Sequence, residues 1–160
     1  MRSATILAVL VIVAACGPNV PEFMEATIDG ALWQAERVTC LYRNQELRVT
    51  GSRSTGADTR RAIRLAELRL TGPRTVTLAA GGEQGFVLDQ DAIGWDTHVG
   101  YSTTETLTGT VTVTDFDLGG QQCAGTFSFV AVMVHNLYGP VTPDTLRITD
   151  GSWSAELMEY

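Results

Sequence analysis

Cys40, Cys123, His98 and His135 together form a Cys2His2 set, the donor composition of a structural zinc site. Such sites hold their ligands in close pairs, so that one local turn presents two donors. No Cys-x-x-Cys or His-x-x-x-His spacing occurs here, and no metal is expected. Nucleophilic catalysis is as poorly served. There is no Gly-x-Ser-x-Gly elbow, and no spacing ties a serine to either histidine. His135 follows a strongly apolar run and reads as a strand-end residue. His98 lies in Gly94-Trp95-Asp96-Thr97-His98-Val99-Gly100-Tyr101. Trp95, His98 and Tyr101 are the candidate ligand-binding residues, because aromatic and polar groups converging on a loop can form a binding rim. The competing reading is an ordinary strand with edge aromatics. Asp89, Asp91 and Asp96, and separately Asp115 and Asp117, are too sparse for a calcium loop and read as a solvated rim. No residue favours a paired-carboxylate glycosidase. No glycine-rich phosphate loop opens a helix. No catalytic residue and no cofactor is therefore assigned.

The first sixteen residues, MRSATILAVLVIVAAC, have a different chemistry. Arg2 supplies a positive start, and Ala4 to Ala15 is apolar apart from Thr5. A membrane span needs about 20 such residues, so this run has the length of a signal-peptide core instead. It ends in Val13-Ala14-Ala15-Cys16, which resembles the lipobox of bacterial lipoproteins. The resemblance implies diacylglycerol on the Cys16 thiol and cleavage before it, leaving residues 1–15 as a removed signal peptide. The other reading is an ordinary signal peptide with Cys16 as a spare thiol. In that family an aspartate after the lipidated cysteine retains the protein at the inner membrane; Gly17 stands there, which implies the outer membrane. Residues 16–22, with Pro18 and Pro21, form a short extended tether.

Removing residues 1–15 leaves 145 residues with ten arginines, no lysine and eighteen acids, a formal charge of −8. That balance argues against nucleic acid as a partner. Export into an oxidising compartment makes a Cys40–Cys123 disulfide the natural reading of the remaining thiols; the alternative is two buried free thiols.

The elements that must position these residues read as strands. The chain has 21 Thr and 16 Gly, and no stretch carries a capped helical pattern throughout. Phe23 to Ile28 leads into Asp29-Gly30, a hairpin turn, with Leu32 to Leu41 returning. Glu46 to Gly51, Arg74 to Ala79 and Phe86 to Leu88 follow. Thr59 to Leu70 alternates as a strand, although a helical face is also possible. Leu107 to Phe116 alternates Val with Thr, Cys123 to His135 is apolar on both sides late in its length, and Leu146 to Leu157 closes the chain. The fold class is all-β, an antiparallel β-sandwich or flattened β-barrel of about 8–10 strands, as a single domain over residues 23–160.

Ile28-Asp29-Gly30-Ala31-Leu32-Trp33-Gln34-Ala35 is echoed by Ile148-Thr149-Asp150-Gly151-Ser152-Trp153-Ser154-Ala155. In both, the apolar parity switches across Asp-Gly, which requires either a hairpin turn or a bulge. Each Trp is expected to fill the core. These two stretches, with Gly125-Thr126-Phe127-Ser128-Phe129 and the Leu107 to Val113 strand, resemble small bacterial lipoproteins and secreted proteins of unknown function. That resemblance implies an all-β fold and an envelope location, and it carries no activity. The expectation is a non-enzymatic, lipid-anchored interaction or structural module of the bacterial outer membrane, attached through lipid on Cys16, with an unknown protein or small ligand as partner. The alternative is a lipocalin-like carrier, which would need a hollow interior rather than one filled by Trp33, Val111, Val113, Phe127, Phe129 and Trp153.

Overall fold

The computed structural model describes residues 21–91, 97–136 and 144–159. Eleven strands run in chain order: β1 (Phe23–Ile28), β2 (Ala31–Gln34), β3 (Arg37–Arg43), β4 (Glu46–Ser54), β5 (Thr59–Arg69), β6 (Arg74–Leu78), β7 (Gln84–Asp91), β8 (Thr97–Ser102), β9 (Gly109–Asp117), β10 (Gln122–Asn136) and β11 (Thr145–Glu159). No helix occurs among the described residues. Thr59 to Arg69 is a strand, the reading that the Ile63-x-Leu65 and Leu68-x-Leu70 alternation favoured, with a bulge near Glu67 where the parity switches.

The turns follow from backbone chemistry. Asp29 and Gly30 both take positive φ (47° and 84°), the requirement of a two-residue hairpin turn matched to strand twist. Asn44 and Gln45 do the same between β3 and β4, at 52° and 66°. The second Asp-Gly behaves differently. Asp150 has φ 52° inside β11, where the register against both β1 and β10 slips. The two parity switches thus take one solution each, a turn at Asp29-Gly30 and a bulge at Asp150.

All strands belong to one sheet that folds into two layers. One layer is β2-β1-β11-β10-β9-β6 and the other β3-β4-β5-β7-β8. The two long strands join them. β10 pairs β9 over Gln122–Phe129 and then β8 over Val132–Asn136, on the same edge. β11 pairs β1 over Ile148–Ser154 and then β3, in parallel, over Leu157–Glu159. Because β10 also pairs β11, seven strands close a ring, and the result is a sandwich sewn shut at two corners.

Two expected boundaries change. Leu32 to Leu41 is two strands rather than one: the Ala35 N–H donates to Met24 O, and the next residue, Glu36, donates to Ser52 O. The chain there leaves one layer for the other. Thr97 to Ser102, read as part of a loop rim, is strand β8 between β7 and β10.

The interior is filled. Trp153, Met24, Leu47, Ile63, Leu65, Leu68, Leu70 and Leu78 have under 2% of their surface exposed, and Trp33, Val111, Val113, Phe127 and Phe129 are also buried. Phe127 packs on Trp153 and on Phe129, with ring centroids 6.1 and 6.2 Å apart. Cys40 on β3 and Cys123 on β10 form a disulfide across the interior, joining the two neighbours of β11.

Candidate interaction surfaces

Of the candidate rim, Trp95 lies outside the described residues, as do Cys16 and the tether up to residue 20. His98 is placed only by its backbone, in β8. Tyr101 is 4% exposed and packs in the core, so its ring lines no surface. It shares a face of β8 with Val99 and stands opposite Val87 of β7 and Met133 of β10. Burial, then the charge of Asp89, push its phenol above the ordinary tyrosine value.

Asp89 belongs to an inward-facing ion pair. Arg61 on β5 and Asp89 on β7 stand opposite each other, one rung beyond Ile63 and Val87. The Arg61 Nε and Nη2 donate to the two carboxylate oxygens at 2.7 and 2.8 Å. This two-pronged bond raises the Arg61 pKa, against an opposing desolvation. It is a structural closure of one end of the core. Among the described residues no group of three or more His, Cys, Asp or Glu could hold a metal. His135 is exposed at the end of β10, with Nε2 3.1 Å from Thr97 O. Asp117 takes the Gly119 N–H on Oδ1 and serves the β9–β10 turn.

What remains is surface, and its two faces differ. The outer side of the β1-containing layer is a hydroxyl array. Thr75, Thr112, Thr126 and Ser152 are consecutive register partners across four strands, with Thr75 and Thr112 hydroxyls 3.0 Å apart. Thr77, Thr110 and Ser128 lie on the same side. Shallow hollows of about 270 and 340 Å³ open here beside the β11 bulge.

The opposite layer is basic on its outer side. In β3, β4 and β5 the residues Val38, Cys40, Leu47, Val49, Ile63 and Leu65 point inward. Alternation therefore sends Arg37, Arg43, Arg48, Arg60 and Arg64 outward. Arg64 stands opposite Thr50, one outward position from Arg48. Burial, and after it the charge of Arg48, hold the Arg64 guanidinium below its ordinary value. A hollow of about 330 Å³ at the rim is lined by Glu36, Arg37, Ser52, Arg53, Ser54 and Arg60.

This face escaped the residue-by-residue reading, although the sequence carries its signal. Eight arginines fall between positions 36 and 69, against four acids. Residues 16–35 and 70–160 together have two arginines and fourteen acids. A whole-chain balance hides that partition. No family model, curated protein or solved structure matches the chain.

Proposed function

We propose that this chain is a lipid-anchored β-domain of the bacterial outer membrane that works as a non-enzymatic interaction or structural module. The observation that carries the reading is a filled core enclosed by two chemically distinct outer faces, one arginine-lined and one of hydroxyls. A carrier needs an enclosed apolar space of about 300 Å³ or more. The interior here is occupied by large side chains, and the hollows described open outward. The anchor rests on the Val13-Ala14-Ala15-Cys16 sequence after its apolar run, and the outer-membrane destination on Gly17.

Two measurements test it. Mass analysis of the chain recovered from bacterial membranes is expected to give an N-terminal Cys16 bearing diacylglycerol; an unmodified thiol there overturns the anchor. Titration of the purified protein with a fluorescent fatty acid is expected to show no saturable binding. Saturation at one equivalent overturns the module reading in favour of a lipocalin-like carrier.

A further inference from the structure

The charge partition places eight arginines on three consecutive strands of a chain whose net charge is strongly negative, and the ladder sets six of them, Arg69 included, on one outer face. Acids on or beside this face, Glu36, Glu46 and Glu67, are fewer than its arginines, so an excess of positive charge remains for something anionic to meet. On this face Arg69 reaches Glu46 only at 3.8 Å, and the buried Nε of Arg64 has no partner. Arg37 and Arg48 are exposed.

The position of this face relative to the chain's entry narrows the partner. β1 and β3 lie along the same edge of β11, and Phe23, the first residue of β1, pairs with Ser154 just short of the β3 segment. The chain therefore enters the fold beside β3, the strand that carries Arg37 and Arg43. Seven residues, Cys16 to Glu22, span at most about 25 Å when extended. A lipid on Cys16 would hold the start of β1 within that distance of a bilayer surface, with β3 beside it. An ionic interaction fades over about 8 Å at physiological salt, so the face nearest the tether meets the headgroups first.

We propose that the outer face of β3, β4 and β5 is a second membrane contact, a docking surface for phosphate-bearing lipid headgroups that seats the anchored domain on its bilayer. This inference rests on the anchored reading above. Guanidinium groups suit phosphate because their planar N–H forks match its oxygens. The two acyl chains of a diacylglycerol already give stable attachment, so retention needs no further signal. Here the patch would act less to retain the domain than to orient it, leaving the hydroxyl face toward the aqueous side.

The test uses the chain from Gly17 onward, exported without lipid, which retains every core residue among the described residues, the first of which is Met24. It is sedimented with phosphatidylcholine vesicles, with and without about one-third phosphatidylglycerol, in about 50 mM and about 500 mM salt. Expected is binding to the anionic vesicles alone, weakened about tenfold or more by the higher salt and by R37Q/R48Q/R64Q. The R74Q/R147Q pair, on the other layer, should leave binding unchanged. Equal binding to both vesicle types, or an unaltered triple variant, overturns the proposal. So does binding to a soluble polyuronate without binding to vesicles, which would assign the face to an anionic polymer. An R37Q/R48Q pair, both exposed positions, serves if the triple variant fails to fold. Since the assay omits the lipid and the Cys16 mass measurement omits the vesicles, each reading can fail without the other.

Discussion

Tyr101 illustrates how far a residue's chemistry depends on which way its strand turns. Its phenol is raised by burial first and by the Asp89 charge second. The neutral form is therefore favoured in the fold. The unfolded chain would release that proton near pH 10, so the contribution of Tyr101 to stability is intact below about pH 10 and lost as pH rises through the folded value. In an alkaline titration followed by tyrosinate absorbance, Tyr101→Phe is expected to remove the latest step. A curve that loses amplitude evenly would refute this. In the sequence Tyr101 stood with Trp95 and His98 as a rim, because aromatic and polar neighbours look alike on a loop and on a strand. The Val99-x-Tyr101 alternation was the legible sign of a core-facing strand. The Arg61–Asp89 pair left no local sign, since its partners sit 28 positions apart and meet only through the β5–β7 register.

At the level of elements, the two aromatic-rich strands depend on missing side chains. A Cβ on Gly125 of β10 would overlap the Trp153 indole and the Thr112 carbonyl oxygen. A Cβ on Gly151 would come within 2.5 Å of the Phe127 ring. Gly82, by contrast, has nothing within 4 Å of such an atom. Gly125→Ala is therefore expected to cost about 1–3 kcal/mol, read as a lowered denaturation midpoint, while Gly82→Ala leaves it near wild type. Equal midpoints for the two variants would contradict this account of the packing. Most strands were legible from alternation, and so was the need for a turn or a bulge at each Asp-Gly, though not that Asp150 takes the bulge. The break between β2 and β3 also left a trace: the buried parity runs odd at Trp33 and even at Val38 and Cys40. What no window could show is that Ala35 bonds to β1 while Glu36 bonds to β4.

For the whole molecule, the disulfide and the ring closure act on the same corner. Cys40 and Cys123 enclose a loop of 83 positions, which bounds the entropic stabilisation at about 4–5 kcal/mol in the chain-closure account. The C40A/C123A pair is expected to unfold at lower denaturant with the same all-β circular dichroism below its midpoint. Unchanged stability would place the restraint elsewhere. The all-β class was readable from composition and turn spacing. The choice between sandwich and barrel was not, because it is made where β10 and β11 exchange partners along one edge. The charge partition can be counted along the chain, but its gathering on one outer face becomes visible only once β3, β4 and β5 are laid side by side.

The pairing of β1 with β11 also sets a timetable. A chain that leaves a ribosome or a translocation pore N-terminus first delivers the β1–β2 hairpin early, with Met24, Ala26, Ile28 and Trp33 uncovered. Their partner strand, the fifteen residues of β11, emerges after every other strand. Until then β10 has one edge unfilled, and the ring cannot close. Every molecule must therefore pass its whole emergence as an open, adhesive sheet, and the vulnerable interval grows with any pause downstream of β10.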